Sequence, residues 1–341
     1  MTPYDRLMSV LSGKQADRVP VIPWVRDWCA VQAGFGIVDI IENVEKHVYA
    51  QFYSRQKFGY DCVFDLCGVS AESEAMGTVI RYDNETPPMA VDHPVKDYDR
   101  DLPNLQIPNP HRDGRMPNIV RGVERLKELC QGSIPVIGYV QGPLRHATML
   151  RSVEALMRDM LKNPEPVKEL LSIVVDSLMV YGAALVHAGA DVIMIGDPAS
   201  SGDLISRKQW EKWGLAPTVH LVQFLKRTGV KVILHICGNI TDRLDLISQI
   251  GIDALSVDEK VDLKAARAAL GPEFCLFGNV SPSKTLFFGP PQVVETESRE
   301  CIERAGRDGP FILGSGCVVP ETTDARHIEA MVHAAETHGV Y

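Results

Sequence analysis

The sequence predicts an α/β protein built as a single (β/α)8 barrel. Three observations carry this: eight short apolar runs rich in β-branched residues, helical patterns between most of them, and polar residues where the runs stop. The runs are VPVIP (19–23), DCVFDL (61–66), PVIGYV (135–140), DVIMIG (191–196), KVILHI (231–236), ALSV (254–257), FCLFG (274–278) and FILGS (311–315).

Each element has a local reason. In TPYDRLMSVLSG, Thr2 is an N-cap, Pro3 suits a first helical turn and Gly13 a stop, so an N-terminal helical extension precedes the first strand. Helix patterns cover 164–189, 206–227, 242–250, 262–270, 290–305 and 324–338. The polar, proline-rich stretch 79–117 reads as an insertion after strand two, lying over the barrel mouth and carrying a hairpin. A doubly wound sheet fits less well, because no G-x-G-x-x-G follows the first strand and the GSGC at 314–317 lacks the third glycine.

Bulk properties narrow the function. The chain has 341 residues, 45% hydrophobic and 23% charged, enough to bury a large core as one domain spanning 1–341. Its net charge is −9 without a Lys/Arg stripe, which argues against nucleic-acid binding. MTPYDRLMSVLSGKQADRVP lacks the features of a signal peptide, and the longest apolar stretch, LLSIVVDSLMVYGAALVHAGA, is interrupted by Asp176 and His187. Eight cysteines show no dense disulfide framework. The expectation is a cytoplasmic protein with reduced thiols and no membrane partner.

Active groups of such a barrel gather at the C-terminal ends of its strands. Those ends read Asp65, Gln141, Asp197, His235 with Cys237, Asp258, Asn279 and Cys317. A strand alternates its side chains, so His235 and Cys237 of LHICGN point the same way. With Cys317 they make a His/Cys/Cys set that suits zinc, with one coordination position left open as in catalytic sites. Taken singly, each cysteine would read as inert core. Cys62 and Cys275 fall in strand runs, Cys130 and Cys301 in helices, and Cys29 and Cys67 are ambiguous. No G-x-S-x-G elbow or P-loop is present, and Asp65, Glu72 and Glu74 read as solvated loop charges rather than an acid/base pair.

The chain resembles the uroporphyrinogen decarboxylase superfamily, and within it the cobamide-dependent methyltransferase branch. The resemblance runs through TPYDRLMSVLSGKQADRVPV, AESEAMG (71–77), GDPASSGDLIS (196–206), LHICGN, SVDEKVDLKAARAALG, FGNVSP and GSGCVVPETTDARHIEAMV. It implies a (β/α)8 barrel with zinc on His235, Cys237 and Cys317. The implied reaction moves a methyl group between a methylcobamide on a separate corrinoid protein and a zinc-activated small thiol such as coenzyme M. Charging of the corrinoid by a methoxylated aromatic or similar donor is the alternative, and uroporphyrinogen decarboxylation a second one. The decarboxylases of the superfamily carry an arginine-rich stretch near the N-terminus that grips porphyrin carboxylates; VIPWVRDWCAVQAG offers only Arg26. Asp258 and Asp197 are the catalytic candidates, and Gln141 and Asn279 the cofactor-contacting ones. Asp258 either holds the fourth zinc position at rest, or caps the next helix or orients His235 through its other ring nitrogen.

Overall fold

The computed structural model describes residues 1–65, 69–84 and 88–341. Among the described residues ten strands occur in chain order: β1 (Val21–Ile22), β2 (Val63–Asp65), β3 (Val79–Arg81), β4 (Met89–Asp92), β5 (Val136–Gln141), β6 (Val192–Gly196), β7 (Lys231–Ile236), β8 (Ala254–Val257), β9 (Cys275–Val280) and β10 (Phe311–Ser315). Eight of them form a parallel sheet in the order β1-β10-β9-β8-β7-β6-β5-β2, the circular order of a (β/α)8 barrel. At the β1–β2 seam the Asp61 N–H donates to the Val21 carbonyl at 2.8 Å, and the Val21 N–H donates to the Asp61 carboxylate at 2.7 Å.

The period-two pattern of the runs sorts the core into two layers. Ile22, Phe64, Ile137, Met194, Ile233, Phe277 and Ile312 fill the barrel interior. Their neighbours Val21, Val63, Val136, Ile193, Val232, Leu276 and Leu313 pack outward against the helices. The helix Pro3–Leu11 plugs the lower end, its Leu7, Val10 and Leu11 joining the interior cluster. Thr2 caps that helix by accepting the Asp5 N–H at 3.0 Å. Arg6 ties the plug to the seam, pairing with Asp17 and with buried Asp61, each at 2.7 Å.

The other expected helices are present at Pro164–His187, Arg207–Arg227 with a π-helical turn at Glu211–Leu215, Leu244–Ile247, Leu263–Leu270, Pro291–Cys301 and Ala325–His338. Pro164–His187 is long and apolar enough to cross a membrane, yet 56% of its apolar window is buried, and it packs as an outer helix on β5 and β6.

The 79–117 segment holds the expected hairpin, β3 antiparallel to β4. It is anchored at the rim through Val95, whose N–H donates to the Leu150 carbonyl at 2.9 Å, and through the Tyr98 hydroxyl, which donates to Asp159 at 3.0 Å. Cys29, Cys62, Cys130, Cys275 and Cys301 are buried and free of disulfides. Cys67 and Leu66, the last residue of the second expected strand, lie outside the described residues.

Candidate metal centre

His235 occupies β7, where its register partners are Gly196 on β6 and Ser256 on β8. Interior Ile233 is two residues earlier, so His235 and then Cys237 share the inward face. The His235 Nε2 lies 3.0 Å from the Cys237 Sγ, and Cys237 Sγ lies 3.5 Å from Cys317 Sγ, beyond the end of β10. The three ligand atoms lie within 4.8 Å of one another, in the only His/Cys/Asp/Glu cluster of this kind among the described residues. Gly238 (φ +76°) takes a left-handed turn immediately after Cys237, and a Cβ there would overlap Ser201 and Asp203.

The cluster is electrostatically primed. The hydrogen bond from Cys237, followed by contact with the His235 ring, lowers the Cys317 thiol. The same Cys317 contact, with burial and the nearby Asp258 charge, raises Cys237. The two sulfurs therefore share one proton, and the thiolate form of Cys317 is the stabilised one. On the other side of the imidazole, Nδ1 sits 3.0 Å from the Ser256 hydroxyl, which leaves Nε2 facing the sulfurs. Trp24 covers the ring, with centroids 4.3 Å apart. One imidazole nitrogen and two sulfurs, converging with the far ring nitrogen tethered, form a donor set that fits zinc.

The remaining strand-end residues divide. Gln141 is buried, and its side chain is held by the loop after β2: Oε1 accepts from Ser73 at 3.0 Å and Nε2 donates to the Val69 carbonyl at 2.8 Å. Asp197 is buried as well, and its carboxylate accepts the Leu144 and Arg145 N–H groups at 3.2 and 2.8 Å. That makes it the anion at the start of the helix Pro143–Arg151. Burial, offset by these bonds, pushes its carboxyl up to about 6. Asn279 donates to the Asp258 and Val261 carbonyls at 3.0 and 2.8 Å and accepts from the Cys301 thiol, so its amide faces the outer helix layer. Asp65 also faces outward, 3.3 Å from His47. Asp258 stands near Cys237 but outside the three-residue cluster, and its Oδ1 accepts the Lys260 N–H at 3.0 Å. The task of orienting His235 falls to Ser256.

Three sequence expectations change, the first being Asp65, which is 1% exposed against His47 and not solvated. Glu72 is not solvated: it is 1% exposed, accepts the Gln141 N–H at 2.7 Å, and burial pushes its carboxyl up to about 7. Glu74 is ion-paired with Arg115 at 2.7 Å and bonded to the Tyr82 hydroxyl. Sequence reasoning also missed Ser256, Trp24 and Tyr139. The available signal was a polar or aromatic residue on the inward phase of an apolar run.

The converged imidazole and two thiols are a candidate metal site, placed where (β/α)8 barrels keep their chemistry, at the strand C-termini. The chain belongs to the uroporphyrinogen decarboxylase (URO-D) family, whose model matches residues 2–338. It is 30% identical to the methylcobamide:CoM methyltransferase MtbA of Methanosarcina mazei, over 99% of this chain and 98% of that one. It is 25% identical to the uroporphyrinogen decarboxylase of Myxococcus xanthus, over 98% and 97%. A solved methyltransferase structure from Methanosarcina mazei superposes with a TM-score of 0.91 at 27% identity, covering 99% of both chains.

Proposed function

We propose that this protein is a methyltransferase that passes a methyl group from a methylated corrinoid, carried on a separate protein, to a small thiol such as coenzyme M. The observation that carries the reading is the His235/Cys237/Cys317 cluster at the mouth of a barrel similar to named methylcobamide:CoM methyltransferases. His235 Nε2 and the two sulfurs would hold zinc. A free thiol, with a pKa near 8.5, is a poor nucleophile at neutral pH, and zinc supplies the Lewis acidity that keeps it deprotonated.

The chain's own residues do the rest. Ser256 fixes the ring orientation of His235, and Trp24 shields the ring from water. Contact with Cys237 and the His235 ring favours the Cys317 thiolate, while Cys237 would give up its proton on metal binding. Asp258, with Oδ1 held by the Lys260 N–H and its charge acting on Cys237, stands close enough to compete for the remaining position at rest. Asp197 sets the start of the helix Pro143–Arg151, and Gln141 holds the loop after β2; both shape the mouth rather than touch the reacting atoms.

Uroporphyrinogen is a poor fit. Arg26 is buried and bonded through Nε to Asp27 at 2.8 Å, so it does not present a cation for porphyrin carboxylates. Incubation with methylcobalamin and a panel of thiols, following cob(I)alamin by absorbance, tests the reading. Cob(I)alamin should form in step with methylated thiol and only when thiol is present. Consumption of cob(I)alamin by methoxyarenes without thiol would reverse the direction, and coproporphyrinogen formed from uroporphyrinogen would overturn it.

A further inference from the structure

Arg145 is the third residue of the helix Pro143–Arg151, which starts at the mouth end of β5. It is partly buried, yet among the described residues its guanidinium makes no hydrogen bond or ion pair. The partly buried arginines Arg115 and Arg151 are engaged, with Glu74 at 2.7 Å and Asp159 at 2.9 Å, as are the buried Arg243 and Arg267 with backbone carbonyls. Asp197, on the neighbouring strand end, makes no ion pair with it among the described residues. Asp197 accepts the Leu144 and Arg145 backbone N–H groups instead.

Tyr139 on β5 packs on the barrel interior and keeps partial exposure, its hydroxyl making only a long 3.4 Å bond to the Gly196 carbonyl. The Tyr139 hydroxyl reaches the carbonyl of Gly196, the register partner of His235, and Asp197, which accepts the Arg145 N–H, donates its own N–H to the His235 carbonyl at 2.9 Å, so the phenol and the start of the Arg145 helix flank the strand that carries the sulfur cluster. A partly desolvated guanidinium without a partner is costly, and a planar fork of donors matches an oxyanion.

We infer that Arg145, assisted by the Tyr139 hydroxyl, recognises the anionic end of the thiol acceptor, a sulfonate or carboxylate, while its sulfur lies at His235, Cys237 and Cys317. This rests on the thiol-acceptor reading above, and it makes the acceptor's charge the basis of selectivity.

The test compares 2-mercaptoethanesulfonate and 3-mercaptopropionate with neutral 2-mercaptoethanol, using the full-length metal-loaded protein and methylcobalamin. Arg145→Gln should raise KM for both anionic thiols about 10- to 100-fold, the worth of a charge-assisted hydrogen bond, with kcat little changed. KM for 2-mercaptoethanol should not move, and Arg145→Lys should recover part of the loss. Unchanged zinc content in both variants separates recognition from damage to the site. Equal losses with charged and neutral thiols would overturn the inference. So would a raised KM for methylcobalamin, which would place the guanidinium on a corrinoid phosphate. Wild-type protein that methylates 2-mercaptoethanol as readily as the anionic thiols also overturns it, while leaving the methyltransferase reading intact. Failure to methylate any thiol removes both.

Discussion

Two arcs of the same barrel mouth handle polar groups in opposite ways. Along β7, β8 and β10, His235, Cys237 and Cys317 bond one another, and Ser256 is the side chain that hydrogen-bonds the set to the scaffold among the described residues. Along β5 and β6, Gln141 and Asp197 are fully engaged by backbone and loop groups. A buried polar group must be satisfied. Satisfaction by backbone marks a part of the frame, whereas side-chain donors converging on one another mark a place for something else. Polarity at a strand end does not by itself distinguish the two.

The largest effect that would sharpen this contrast is on metal content. Cys237→Ala and Cys317→Ala should each lose most of the zinc and the methyl transfer with it, while melting stays near that of the parent, because a large barrel does not depend on a metal to fold. His235→Ala should keep partial occupancy, since two sulfurs remain. Stoichiometric zinc in both cysteine variants, measured by elemental analysis, would break the assignment.

Ser256→Ala should weaken zinc about 10- to 100-fold in a chelator competition, as expected for loss of the group that orients a ligand imidazole. The opposite arc should respond in stability instead. A Cβ on Gly142 would overlap the Asp197 side chain, so Gly142→Ala should cost about 1–3 kcal/mol in chemical denaturation, with zinc content unchanged.

The smallest effect is in pH dependence. The folded Glu72 carboxyl is raised from 4.5 to about 7, so the folded state holds this proton more tightly than the unfolded chain does. Stability from this group is fully present below 4.5 and falls as pH rises toward 7, by at most about 1.4 kcal/mol per pH unit. Glu72→Gln should flatten that slope in denaturation measured across the window.

The eight strands and the His235/Cys237 pair were legible because both rest on period-two alternation, which a buried parallel sheet enforces along its whole length; Cys317, past the end of β10 and on the phase of outward Leu313, was reached as a third ligand for that pair and not by this rule. The same rule applied residue by residue would have turned Asp65 outward, since Phe64 beside it faces the interior. It fails for Asn279, which shares the phase of interior Phe277 but bonds toward Cys301 through long-range contacts that leave no local trace. Glu72 was misread because its burial comes from the Gln141 N–H, 69 positions away, and not from its own polar loop. Ser256 was within reach, as the one hydroxyl inside the apolar ALSV run.

The central claim is that the converged arc holds a metal for thiol activation, and zinc-edge X-ray absorption tests it most directly. The resting protein should show two sulfur ligands and light-atom neighbours, rising to three sulfurs with one light atom lost when thiol is added. Asp258→Ala should leave the sulfur count and its rise intact. A sulfur count that does not change with thiol, or a zinc without two sulfur ligands at rest, would contradict the account.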